Sequence, residues 1–263
     1  MLDLIRLEYR NVTMRFPHDS GGSLTAVQGV SIVVRDGEVV SLIGPSGCGK
    51  STLLNIGSGL AAPSEGEAFV DGERVEGPNA HVAFMLQKDL LLPWRTVVEN
   101  VMFGVEIQGV PAAERRRRAQ ALLENLKLAE FSNHYPHQLS GGMRQRVALA
   151  RTLAVDPTVL LLDEPFSAVD AQTRITLQQE LAQTLKRAGK TALLITHDLL
   201  EAVTLSDRVL VMSRRPGKII DEIAIDIPGR DDPLTRRHDA KITGYVNRLM
   251  DRLGIGTEVR VPA

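Results

Sequence analysis

The 263-residue sequence predicts an α/β fold built on a mainly parallel sheet covered by helices on both faces. Three observations carry that expectation. The runs at residues 158–162 and 191–196 are continuously apolar, as a strand buried on both faces requires, and show no alternation of a half-exposed one. Between them, residues 173–188 read as a helix ended by Gly189. A third apolar run, 39–43, stops at Gly44 and gives way to a helix opening at Lys50, so strand, loop and helix succeed one another there too.

Taken in order, residues 4–16 alternate (Ile5, Leu7, Tyr9, then Val12, Met14, Phe16), which predicts two short strands or one bent strand. HDSGGS, 18–23, reads as a surface turn. Val30, Ile32 and Val34 alternate again, and Asp36-Gly37 predicts a hairpin leading into strand 39–43, so an antiparallel element precedes a buried one. A second Asp-Gly, Asp71-Gly72, divides residues 67–75 into two strand arms, and 81–86 read as a strand closed by Gln87.

From 89 to about 153 helical spacing takes over. One helix is expected at 96–107. Another is expected at 111–126, with Pro111 in its first turn and a stripe of Ala119, Leu122, Leu123 and Leu126. Its four arginines, 115–118, read as a solvated outer face, or else as a contact for lipid headgroups or nucleic acid. After 191–196 come a short helix and a strand at 208–212. Pro216-Gly217 then turns into an alternating segment, 219–227, and a polar remainder carries one amphipathic patch at 245–253. The expected plan is one domain over 1–215, with a helical subdomain at about 89–153 inserted, and a C-terminal extension, 216–263, of a hairpin strand and a short helix.

Composition narrows the function classes. A hydrophobic fraction of 43%, a charged fraction of 24% and a net charge of −1 describe an ordinary soluble protein and argue against a dedicated nucleic-acid binder. One cysteine, Cys48, excludes an internal disulfide and fits a reducing compartment. MLDLIRLEYR carries charges where a signal peptide needs an apolar core, and no apolar stretch approaches the roughly 20 residues that cross a bilayer. The expected location is the cytosol, or a membrane surface without insertion.

GPSGCGKST, from Gly44 to Thr52, is G-x-x-x-x-G-K-S after a strand and before a helix, the context in which the motif signals a nucleoside triphosphate. Gly44, Gly47 and Gly49 let the backbone curl until its N–H groups cradle phosphate oxygens, with Pro45, Ser46 and Cys48 between them. The helix start adds its dipole. Lys50 reaches the β- and γ-phosphates, and the Ser51 hydroxyl coordinates Mg²⁺. Cys48, beside Lys50 and a helix start, has surroundings that favour its thiolate; the alternative is a small residue that fits the loop.

VLLLDEP puts Asp163 and Glu164 where a buried strand emerges. The first carboxylate is suited to Mg²⁺ and the second to polarising an attacking water as general base. Gln87, closing its strand, either senses Mg²⁺ or the attacking water or is simply a polar strand end. His197, at a strand tip, either donates to a γ-phosphate or is structural. In LSGGMRQR, Ser140, Gly141 and Gly142 precede a helix and form a second anion-seeking helix start. Two such starts with one phosphate loop are both used if two copies cap each other's nucleotide.

In their order and spacing, GPSGCGKST, Gln87, LSGGMRQR, VLLLDEP, SAVD and His197 resemble the ATP-binding cassette ATPases over essentially residues 4–212. The resemblance implies a P-loop NTPase (RecA-like) core with an N-terminal antiparallel β subdomain and a helical insert. It also implies ATP and Mg²⁺ as cofactors, the latter held by Ser51, Gln87 and Asp163. Phe16 becomes the aromatic that stacks on adenine, in place of the usual tyrosine. Ser140 to Gly142 become the signature that contacts the partner's γ-phosphate, Asp170 bridges a head-to-tail dimer, and His197 is the switch histidine. QKDLLLPWRTVVENV and the RRPGKI turn resemble importers of the nitrate, sulfonate, taurine and bicarbonate type, in which this part of the insert docks on a membrane permease served by a substrate-binding protein. Leu90 to Trp94 is then the docking segment, with local core packing as the other reading of Trp94. The expected protein is an ATPase peripheral to the cytoplasmic face of the inner membrane. Its rivals are a soluble cassette ATPase of translation or DNA repair, and the motor of an exporter or lipid transporter.

Overall fold

The structure is a computed structural model describing residues 4–17, 22–167 and 169–255. Part of the HDSGGS turn, Ala168 of SAVD and the end of the C-terminal extension lie outside those residues. The N-terminal alternation forms one strand, β1 (Ile5–Pro17), whose register against β2 (Ser23–Arg35) shifts at several points, with Asn11 at φ 52°. The bent-strand reading therefore holds.

Asp36-Gly37 does turn the chain, with Glu38 N–H donating to Arg35 O at 3.0 Å, but it is not a hairpin. β2 pairs with β1, whereas β3 (Val39–Ile43) enters a different sheet, parallel to its neighbours there. The reason is burial: all five residues of β3 are buried, so it needs cover on both faces, while β2 keeps one face exposed. After α1 (Lys50–Gly57), β4 (Glu65–Val70) and β5 (Glu73–Arg74) form the expected hairpin around Asp71-Gly72.

Beyond β6 (Val82–Met85) comes the helical insert: α2 (Val97–Ile107), α3 (Ala112–Asn125) and α4 (Gly141–Ala154). Thr96 and Glu99 cap α2 reciprocally, Thr96 Oγ1 accepting from Glu99 N–H and Glu99 Oε2 accepting from Thr96 N–H. On α3, Arg117 and Arg118 pair with Glu114, as a solvated face does. The second half of the chain alternates β7 (Val159–Asp163), α5 (Ala171–Arg187), β8 (Thr191–Ile195), α6 (Leu199–Leu205) and β9 (Arg208–Met212). β10 (Ile219–Ala224), α7 (Pro233–Arg236) and α8 (Ile242–Leu253) follow.

Two sheets result. The antiparallel one runs β2-β1-β4-β5, and the larger runs β10-β9-β3-β8-β7-β6, parallel except for β10. Period-two alternation splits the central strands between two cores. Val159, Leu161, Leu193 and Ile195 face the antiparallel sheet and α1, while Leu160, Leu162, Ala192 and Leu194 face α5 and the helical insert. Because β3, β8, β7 and β6 are parallel neighbours, their C-terminal ends emerge side by side. Gly44, His197, Glu164 and Gln87 lie just past those ends.

Candidate active site

The phosphate loop has the curl that its glycines permit. Gly47 sits at φ 73° and Gly49, the N-cap of α1, at φ 105°. Gly49 has no room for a side chain: a Cβ there would lie 2.4 Å from Val27 Cγ1 and 3.0 Å from Ala26 O. Lys50 folds over the loop, its ammonium donating to Gly44 O at 2.8 Å and Pro45 O at 3.1 Å. Cys48 is buried, with the Lys50 ammonium 3.9 Å from its Sγ. At 1% exposure its thiol packs in the apolar layer between the sheets, as a small residue that fits the loop does.

Glu164 follows β7 at φ 46°, a left-handed conformation that non-glycine residues seldom adopt. There its Oε2 lies 3.1 Å from both Gln87 Nε2 and His197 Nδ1, a convergence of three strand ends on one carboxylate. Neither Gln87 nor His197 is left as an isolated strand terminus. Asp163 is buried, which raises its pKa. The neighbouring Glu164 charge adds to the rise, while a hydrogen bond with the Ser51 side chain and the Lys50 charge oppose it.

Those contacts test whether Mg²⁺ fits. Among the described residues no cluster of three or more His, Cys, Asp or Glu side chains could hold a metal. What is present is a buried carboxylate touching a hydroxyl, with the Gln87 amide nearby. That sparse oxygen set suits a hard cation that takes its remaining ligands from phosphate and water. The residues fit the ion.

Two clefts flank the loop. One, of about 250 Å³, is lined by Phe16, Leu24, Gly49, Thr52 and Arg215 among others, so the structure brings Phe16, 41% exposed, to the mouth of the phosphate loop. The other, of about 780 Å³, is lined by Lys50, Gln87, Glu164, His197, Arg214 and the end of α8. Ser140, Gly141 and Gly142 line neither. Ser140 caps α4 by accepting from Met143 N–H, and a Cβ on Gly142 would meet Thr173 Cγ2 at 2.4 Å. Thr173 N–H in turn bonds Asp170, the cap of α5, and the backbone N–H groups there hold the Asp170 carboxyl below its usual pKa. Ser140 to Gly142 and Asp170 thus form one neighbourhood, separate from the chain's own clefts.

Several residues here escaped the sequence reading. Arg151 donates to the carbonyls of Asp89 and Leu90, and Arg144 to the Asp89 carboxylate at 3.0 Å, so α4 grips the segment after Gln87. Asn100, fully buried on α2, binds Leu92 N–H and the carbonyls of Leu92, Arg95 and Thr96. It fixes a loop in which Leu91 is buried while Leu90 and Trp94 stand 53% and 72% exposed. Core packing does not account for Trp94. An asparagine inside an apolar helix was the one signal available for this.

A family model described as ABC transporter matches residues 27–167. The taurine import ATP-binding protein TauB of Jannaschia sp. is 46% identical over 82% of this chain and 81% of its own length. An uncharacterized ABC transporter ATP-binding protein of Methanocaldococcus jannaschii is 46% identical over 85% of this chain and 83% of its own. This chain belongs to the ABC transporter family. Its cassette also matches a solved one: the dimeric, post-hydrolysis ATP-binding cassette MJ0796 bound to ADP and Pi superposes with a TM-score of 0.75 at 33% identity, over 84% of this chain and 99% of that one. The cassette is an ATPase of the P-loop α/β class, and among the described residues no helix is long and apolar enough to cross a membrane.

Proposed function

We propose that this cassette is the ATP-hydrolysing motor of an importer for a small solute of the nitrate, sulfonate, taurine or bicarbonate kind, with taurine the first candidate. The substrate class rests on relatives named as taurine import proteins, several at 42–47% identity over most of the chain. Two copies sandwich two ATP head to tail, Ser140 to Gly142 of each facing the γ-phosphate of the other's nucleotide and Asp170 bridging the pair. The separation of that neighbourhood from the chain's own clefts supports this. In each site Phe16 stacks on adenine, residues 44–52 cradle the phosphates, and Lys50 neutralises the β- and γ-phosphates.

The observation that carries the chemistry is the Glu164 carboxylate gripped between Gln87 and His197. Glu164 takes a proton from water as its oxygen attacks the γ-phosphorus; the bond to the β–γ bridging oxygen breaks, leaving ADP and phosphate. Gln87 orients that water and His197 donates toward the γ-phosphate. Ser51, Asp163 and Gln87 would hold Mg²⁺, which would neutralise charge on the phosphate oxygens. Closure of the dimer on ATP and its reopening after hydrolysis drive a permease pair, docked at Leu90 to Trp94, on the cytoplasmic face of the inner membrane. A substrate-binding protein acts from the other side. The exposure of Leu90 and Trp94 favours this over a soluble cassette.

The test is to tag the chain in its host, solubilise the membranes in mild detergent and identify what copurifies, alongside ATP-dependent taurine uptake in the deletion strain. A multi-spanning partner and lost uptake are expected. Soluble partners or ribosomes alone would remove the importer reading, and intact taurine uptake with a permease bound would remove only the substrate.

A further inference from the structure

We infer that Arg215, in the turn after β9, is a nucleotide-positioning residue that sets the affinity of the cassette for nucleoside di- and triphosphates alike. The inference rests on the nucleotide reading of the phosphate loop, and on a contact made by the RRPGKI turn, a stretch whose resemblance above carries no role for Arg215. Arg215 Nε and Nη2 donate to the carbonyl of Gly47 at 3.0 and 2.8 Å. The same peptide unit is held at its other end, where Cys48 N–H donates to Pro45 O at 3.3 Å. Gly47 is the residue of the loop that most needs such a hold. It has no side chain, sits at φ 73°, and left alone would sample many conformations that do not present the loop's N–H groups. The guanidinium packs against it so closely that a Cβ on Gly47 would lie 3.2 Å from Arg215 Nη2.

The arginine is presented rigidly. Its turn is closed by Ser213 N–H donating to Lys218 O and Lys218 N–H to Ser213 Oγ. Gly217 is laced into β2, donating to Ala26 O and accepting from Gln28 N–H at 2.9 and 3.0 Å, and a Cβ on Gly217 would fall 2.0 Å from Cys48 O. The turn therefore presses on the outer wall of the phosphate loop and cannot rise without disturbing it. Among the described residues the hydrogen bonds of Arg215 go to this single acceptor, which leaves three of its five N–H donors and its whole positive charge beside the 250 Å³ cleft that it lines with Phe16, Lys50 and Thr52. Anionic phosphate in that cleft meets both a preorganised loop and a nearby cation.

Arg215 lines the cleft of Phe16 and Thr52, which Glu164 also borders, but among the described residues its hydrogen bonds go to the phosphate loop and none to Glu164, Gln87 or His197, so its effect falls on binding and not on the hydrolytic step. The test uses the intact chain with Arg215→Ala, Arg215→Lys and, as control, Lys50→Ala. The readouts are Kd for ATP and ADP by calorimetry, steady-state KM and kcat, and melting without nucleotide. Arg215→Ala is expected to raise Kd for ATP and ADP and KM together, each by about tenfold, with kcat within about twofold and melting unchanged. Arg215→Lys, keeping charge but not the fork, should recover about a third of the loss on a logarithmic scale. Unchanged Kd in Arg215→Ala, with Lys50→Ala weakened, would overturn this inference alone. So would equal losses in Ala and Lys accompanied by a lower melting temperature, which would mark a merely structural role. A wild-type chain that binds neither nucleotide would overturn it together with the nucleotide reading itself.

Discussion

His197 Nδ1 lies 3.1 Å from Glu164 Oε2, a contact between the tips of two parallel strands that no local pattern in the sequence brings together. If the histidine is a γ-phosphate donor that also orients the base, losing it should spare binding and damage chemistry. His197→Ala is expected to keep its ATP Kd within about twofold and to lose on the order of 10²-fold in kcat, the scale for one preorganised donor. Calorimetry and single-turnover hydrolysis measure the two separately.

Glu201 gives the fold a pH signature. It is buried on α6 beneath the His197 loop, accepting from Gln178 Nε2 at 3.0 Å, and burial pushes its carboxyl up to about 7; the Asp198 charge adds to the rise, while bonds from Thr196 and Gln178 and the Arg174 charge oppose it. Between its ordinary value of 4.5 and about 7 the folded chain holds a proton that the unfolded chain has released, so this residue makes stability fall as pH rises through that window and level off above it. Glu201→Gln keeps the shape without the charge. The variant should gain on wild type by on the order of 1–3 kcal/mol at pH 8 relative to pH 5, read by urea unfolding. An equal difference at both pH values would count against the mechanism.

Much of this was legible in the sequence, for identifiable reasons. β3, β7 and β8 are buried on both faces, so their unbroken apolar runs left no other placement. The phosphate loop and Asp163-Glu164 stood out because each is a run of adjacent residues at the end of a buried strand. Contacts between distant segments left no such trace. Asp36-Gly37 has hairpin chemistry, yet the burial of β3 sends the chain into another sheet. Cys48 sits between phosphate-binding residues, but the curl of the loop turns its thiol into the core. Pro216-Gly217 signalled a turn, while what that turn touches, Gly47, lies far back in the chain. The short helix α7 has too few residues to show a period.

The loop holding Leu90 and Trp94, proposed above to dock on a permease, separates surface from scaffold. Trp94→Ser removes an exposed side chain, so folding stability should change by less than about 0.5 kcal/mol and basal ATPase not at all, while permease copurification is lost. Asn100→Ala removes the buried amide that shapes the same loop and should cost about 1–3 kcal/mol in urea unfolding. Equal stability losses from the two variants would mean that the loop is not organised as described.

Gly49→Ala is expected to be far worse than its size implies. The left-handed backbone and the approach of Val27 and Ala26 together should cost about 2–4 kcal/mol, with nucleotide binding lost. Chemical denaturation and ATP calorimetry report the two effects, and near-wild-type values in both would show that the loop tolerates another curl.

The central claim is that Glu164 is the base of an ATPase whose nucleotide sites are completed by a second copy. Light scattering of Glu164→Gln with and without ATP·Mg²⁺, with hydrolysis followed in the same sample, tests it most directly. The account predicts a monomer that becomes a stable dimer holding ATP, while hydrolysis slows by several orders of magnitude and the wild-type dimer is only transient. Wild-type turnover in the variant, or a monomer that holds ATP without pairing, would contradict it.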